Sequence, residues 1–137
     1  MQYTLTLHNN VQEVPQLASF IETVAAENNL DHSLTMELNL AVEEAVVNVR
    51  EYAYPQGVTG DVTIEVSVDD GQLDINIIDS GMPFDPTGKS NPDTSLSVEE
   101  RSIGGLGIFL VRQLMDTVSY HRTDNKNILT FTKKINQ

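Results

Sequence analysis

The sequence predicts an α+β fold: a two-layer sandwich of a mixed, mostly antiparallel sheet with helices on one face. Three observations predict it. Short segments with apolar residues in two-residue phase recur along the chain, at 2–8, 61–68, 72–78, 117–123 and 128–135. Two longer segments between the first and second of these carry apolar residues at helical spacing. Asp69-Asp70-Gly71 then joins two alternating segments as a tight hairpin signal, which makes them antiparallel neighbours. At 137 residues, one domain spanning 1–137 is expected.

Each element has its own reason. Tyr3, Leu5 and Leu7 alternate with polar residues, as a half-buried strand does. After Asn9-Asn10, a helix is expected from Val11 to Asn28. Pro15 suits its first turn, and Leu17, Phe20, Ile21, Val24 and Ala25 form its apolar stripe. Asn28-Asn29 is the stop. Asp31 or Ser33 can cap a second helix, with Glu37 as a capping-box acid. Its stripe is Leu34, Leu38, Val42, Ala45, Val46 and Val49, and Pro55 should end it near Tyr54. A loop from Gly57 to Gly60 precedes the hairpin strands, with Val62, Ile64, Val66 and Val68 and then Leu73, Ile75 and Ile77 facing inward. The pattern breaks at Asp79-Ser80-Gly81-Met82-Pro83. Residues 86–102 read as a loop, Gly105–Met115 as a helix, Thr117–Thr123 as a strand, Asp124–Asn127 as a turn and Ile128–Ile135 as a closing strand.

Composition narrows the function. The chain has no cysteine, which excludes disulfides and thiolate chemistry. A net charge of −12 argues against direct nucleic-acid binding and against anionic membranes, because phosphate contacts need a basic patch. No stretch approaches the ~18 apolar residues of a membrane span, and the N-terminus does not read as a signal peptide, so a cytoplasmic protein is expected. A polyanion such as a nucleotide would need a divalent cation to offset the negative field. His8 and His32 have no metal-ligand partner at helical spacing and read as surface residues.

Three polar clusters interrupt the apolar plan. Glu44 and Asn48 are four apart on the second helix and so share a face. Asp79 and Gly81 follow a strand. Gly104, Gly105 and Gly107 sit just before an apolar helix, where glycine backbone and the helix N-terminus can together hold phosphate.

Together, Val42-Glu43-Glu44-Ala45-Val46-Val47-Asn48, Asp79-Ser80-Gly81-Met82-Pro83-Phe84-Asp85 and Gly104-Gly105-Leu106-Gly107-Ile108-Phe109-Leu110-Val111 resemble the ATP site of the GHKL (histidine kinase-like, Bergerat) ATPase superfamily. That superfamily includes gyrase, the heat-shock chaperone of ninety kilodaltons, histidine kinases and mismatch-repair ATPases. Within it the sequence is most similar to the anti-sigma factor serine/threonine kinases, over nearly the whole chain.

The resemblance implies roles residue by residue. Asn48 would ligate magnesium through its amide oxygen, a hard donor. Asp79 would accept a hydrogen bond from the adenine amino group, which a carboxylate favours over guanine's acceptor. Gly81 would leave room for the base, and Gly104, Gly105, Leu106, Gly107 and Ile108 would surround the phosphates. Glu44 would be the general base that draws the proton from a protein hydroxyl as it attacks the γ-phosphate. Glu43, about 100° round the helix, would be a bystander. The 86–102 loop would be a lid, with Lys89 or Arg101 reaching phosphate and Arg101 better placed. One departure is that Tyr52-Ala53-Tyr54 stands where relatives often carry His-Ala-Tyr.

The implied protein binds ATP and Mg2+, sequesters a sigma factor, and phosphorylates a STAS-type anti-sigma factor antagonist on serine or threonine, as a homodimer. An ATP-dependent binding switch without turnover, or an ATPase using water, remain as rivals.

Overall fold

The computed structural model describes residues 2–8, 14–50, 54, 60–83 and 111–135. In chain order these form β1 (Gln2–Leu7), α1 (Val14–Glu27), α2 (His32–Asn48), β2 (Val62–Asp69), β3 (Gln72–Asp79), β4 (Thr117–Thr123) and β5 (Lys126–Lys134). The sheet order is β1-β2-β3-β5-β4. Every pairing among the described residues is antiparallel, so the sheet is not mixed there. The cause is the last hairpin. The chain reaches the far edge as β4, then turns straight back as β5 into the gap beside β3.

Side-chain alternation decides which face packs. Val62, Ile64, Val66 and Val68 of β2, Leu73, Ile75 and Ile77 of β3, and Leu129 and Phe131 of β5 are all buried. Each contributes about 1.5–3 kcal/mol by leaving water. Across them lie Leu17, Ile21 and Val24 of α1 and Leu38, Ala41, Val42, Ala45 and Val46 of α2. The opposite sheet face carries Thr63, Glu65, Ser67, Asn76 and Thr130, all at least partly exposed. Both hairpins use two-residue turns with left-handed backbone. Asp70 and Gly71 have φ of 50° and 75°, and Asp124 and Asn125 have 52° and 61°. Such turns match the strand twist.

Several boundaries differ from expectation. Asp31 is the α2 cap: its Oδ1 accepts from the Leu34 N–H at 2.7 Å. Ser33 is therefore inside the helix, and Glu37 lies past the position a capping-box acid must hold; it approaches Lys133 Nζ at 4.0 Å instead. The regular part of α2 ends at Asn48, not near Tyr54. Residues 49–50 continue as a wider turn, and the Tyr54 N–H reaches back five residues to the Val49 carbonyl at 3.4 Å. β3 runs through Asp79, and β5 starts at Lys126, so Lys126 and Asn127 are strand and not turn. Residues 111–114 are helical, with Val111 and Met115 buried, as the end of the expected third helix. The rest of that helix, the 86–102 loop, and Asn9, Asn10, Pro55 and Gly57 lie outside the described residues. Among the described residues no helix is long and apolar enough to cross a membrane.

Candidate functional site

The site forms where the last turn of α2 crosses the end of β3. Asn48 is the final α-helical residue of α2 and is only 2% exposed. Its amide oxygen and nitrogen are both buried, and neither has a hydrogen-bond partner among the described residues. A buried amide left this way costs about 1–3 kcal/mol per unsatisfied group, so it calls for an explanation. A surface asparagine on a solvated helix face would show the opposite.

Asp79 reaches the same place from the sheet. It continues the inward phase of Leu73, Ile75 and Ile77, so strand parity alone turns its carboxylate towards α2. It is 4% exposed. Its Oδ1 accepts from the Gly81 N–H at 2.9 Å and from Asn127 Nδ2 at 2.9 Å. Burial pushes the Asp79 carboxyl above its ordinary range; the Asn127 amide, the Gly81 N–H and the Arg122 guanidinium pull it back down. Asn48 and Asp79 line one small cavity, with Val49, Ile77 and Leu129 as apolar wall and Tyr120 and Asn127 beside them. Its volume is about 20 Å³, roughly room for one water.

Glu44 sits one turn before Asn48 and is half-buried. Burial raises its pKa above the ordinary glutamate value, and the neighbouring Glu43 charge raises it further. A carboxylate so placed is a stronger base than one in open water. Gly81 is engaged through its backbone at both ends: its N–H serves Asp79, and its carbonyl accepts from Arg122 Nη1 at 3.1 Å. Arg101, Gly104, Gly105, Leu106, Gly107 and Ile108, together with Lys89 and Tyr52, lie outside the described residues.

Two further pieces escaped the reading of the sequence. The first is Asn127, paired directly with Asp79 across β3 and β5. Its turn-like surroundings, Asp124-Asn125-Lys126, hid it, although it is in phase with Leu129 and Phe131. The second is the role of Tyr54, which the sequence marked only as the end of α2 and within Tyr52-Ala53-Tyr54; it is 7% exposed. Its hydroxyl donates to the Asp61 carbonyl at 2.7 Å and accepts from the Ser80 N–H at 3.0 Å. It thus ties the segment after α2 to the start of β2 and to the residue following Asp79. Gly60 is required beneath it, because a Cβ there would stand 2.1 Å from the ring. Tyr54→Phe is expected to lower stability by about 1–3 kcal/mol, read by urea unfolding, because it strands the Ser80 N–H and the Asp61 carbonyl. An unchanged midpoint would show that water replaces the latch.

Comparison with known proteins identifies the family of the fold. Residues 7–133 match the family described as the histidine kinase-like ATPase domain. The chain is 34% identical over 119 residues to the serine-protein kinase RsbW of Bacillus subtilis, covering 82% of this chain and 72% of that protein. It is 27% identical over 129 residues to the serine/threonine-protein kinase BtrW of Bordetella bronchiseptica, covering 94% and 91%. Among solved structures it is similar in fold to the RsbU and RsbW domains of a Mycobacterium tuberculosis protein, with a TM-score of 0.72 at 17% identity. That alignment covers 100% of this chain and 33% of the other. The chain belongs to the histidine kinase-like ATPase domain family.

Proposed function

We propose that this chain is a protein serine/threonine kinase of the anti-sigma factor type. It binds ATP with magnesium and transfers the γ-phosphoryl group to a hydroxyl of a partner protein. The observation that carries the reading is the pairing, on one cavity, of a buried Asn48 amide that has no partner among the described residues with an inward-facing Asp79 carboxylate. The names of the relatives, serine-protein kinases, favour kinase chemistry over simple binding.

The donor set fits magnesium. Asn48 offers a neutral hard oxygen that lacks a partner among the described residues, and magnesium commonly takes one or two protein oxygens with phosphate and water. When bound, the metal supplies charge neutralisation at the transferring phosphoryl group. The rest belongs to the protein. Asp79 holds the base by accepting from its exocyclic amino group. Gly81, with no Cβ, lets the base lie against the strand end. Glu44 takes the proton from the attacking hydroxyl. The 104–108 glycine segment and Arg101 cradle phosphate. In the cell, the chain would act as a homodimer in the cytoplasm, hold a sigma factor, and release it on meeting a STAS-type antagonist that it phosphorylates.

The test is purified protein with γ-labelled ATP, magnesium and antagonist proteins of the STAS type. Label on an antagonist serine or threonine is expected, and it should vanish with chelator. Tight nucleotide binding without transfer would replace the kinase by a binding switch. Phosphate release without a partner would replace it by an ATPase.

Asp79→Asn separates binding from folding. A hydrogen bond to a charged group contributes about 1.5–3 kcal/mol, so ATP affinity should fall about 10–100-fold. Stability at neutral pH should not fall. The folded pKa of Asp79 is raised, so its contribution is largest in acid and is lost as pH rises through that pKa. At neutral pH the buried charge is a cost that asparagine removes. Calorimetric titration with ATP and thermal unfolding of the free protein check both halves.

A further inference from the structure

Asn127 is a primary amide with a fully used hydrogen-bonding set. Its Nδ2 donates to Asp79 Oδ1 at 2.9 Å and to the Met82 carbonyl at 2.8 Å. Its Oδ1 accepts from Arg122 Nη1 at 3.0 Å and from the Tyr120 hydroxyl. Arg122 and Tyr120 both belong to β4, the edge strand, and both face inward with Val118. Strand register brings them there: Arg122 pairs with Asn127, and Asn127 pairs with Asp79.

These contacts leave one orientation for the amide. Turning it over would press its NH2 against the guanidinium and set its oxygen against the Met82 carbonyl and the Asp79 carboxylate. Two cross-strand donors on β4 therefore force the NH2 towards Asp79. There it shares Oδ1 with the Gly81 N–H. Neither contact uses Oδ2.

We infer that Arg122 and Asn127 are positioning residues that make the site selective for a base with an exocyclic amino donor. Building on the nucleotide reading above, the relay Arg122–Asn127–Asp79 saturates one carboxylate oxygen and holds the other as a pure acceptor. Without it the carboxylate can rotate. Its second oxygen is then no longer held where the amino group arrives, and a base carrying a carbonyl there is no longer rejected. Tyr120 shares the task at Asn127 Oδ1, so Arg122 matters less than Asn127.

The experiment compares ATP with inosine triphosphate, which carries a carbonyl in place of the amino group. Magnesium tripolyphosphate reports phosphate binding alone. The full chain is titrated as wild type, Asn127→Leu, Arg122→Met and Arg122→Lys. Wild type should prefer ATP. Asn127→Leu should cut that preference at least about tenfold, the scale of one charged hydrogen bond, while tripolyphosphate affinity stays within about twofold. Arg122→Met should cut it by a smaller factor, and Arg122→Lys should restore part of it.

Preference retained in both Asn127→Leu and Arg122→Met overturns the inference. So does a parallel loss of ATP, inosine triphosphate and tripolyphosphate binding, which marks a structural role only. If Asn127→Leu fails to fold, Arg122→Met on the edge strand decides by the same ratio. A wild type that binds ATP and inosine triphosphate equally refutes the assignment of Asp79 itself, a different failure.

Discussion

Glu44→Gln should slow phosphoryl transfer about 10²–10⁴-fold while leaving ATP affinity close to wild type, because general-base catalysis usually supplies that factor. The reason is positional. Glu44 stands one helical turn from Asn48, so a carboxylate and the buried Asn48 amide follow each other along α2. It remains partly exposed, yet it is buried enough to be a stronger base than a free glutamate. Burial first, and Glu43 second, raise its pKa.

That direction sets the pH behaviour. As pH falls, Glu44 takes up its proton earlier than an ordinary glutamate and the wild-type rate drops early. The glutamine variant should lack this limb. The stability sign runs with it: a raised folded pKa contributes most in acid and is lost as pH rises through it. Glu44→Gln should therefore be no less stable than wild type near neutral pH. Single-turnover transfer across a pH series reads the limb, and nucleotide titration reads the binding. A variant that binds poorly, or one that transfers at the wild-type rate, would remove Glu44 from the chemistry.

Asn48→Leu should do something unusual for a core substitution and stabilise the free protein, by about 1–3 kcal/mol. Leucine is close to asparagine in shape and removes two buried polar atoms that have no partner among the described residues. At this size, each kcal/mol raises the midpoint by about 2–4 °C or somewhat more. The same change should abolish the gain in midpoint that magnesium and a non-hydrolysable ATP analogue give the wild type, since a ligand stabilises only the state that binds it. Thermal scans with and without metal and nucleotide measure both. A destabilised variant that still responds to magnesium would mean that Asn48 is satisfied by water and ligates nothing.

Much of this was readable along the chain because its signals are local. A period of two marked β2 and β3, and it also carried Asp79 inward, two residues beyond Ile77. Helical spacing placed Glu44 above Asn48. Asp70-Gly71 announced its turn through the left-handed backbone it requires. The choice of cap was less legible: Asp31 and Ser33 are both good caps, and the folded chain uses Asp31. Glu37 looked like a capping-box acid for the same reason and is drawn instead towards Lys133 of β5, 96 residues away in the chain.

What the sequence determined by itself is therefore the five strands and the first two helices, their inward faces and the chemical kinds of Glu44, Asn48 and Asp79, because periodicity and residue type act over a few neighbours. Only the tertiary structure decided that Asn48 is buried with no partner among the described residues, that Tyr54 latches Ser80, and that Arg122 and Asn127 reach Asp79 from β4 and β5. Those facts arise from strand register and from the crossing of helix and sheet. Both are settled by how distant apolar faces pack together, not by any stretch of adjacent residues.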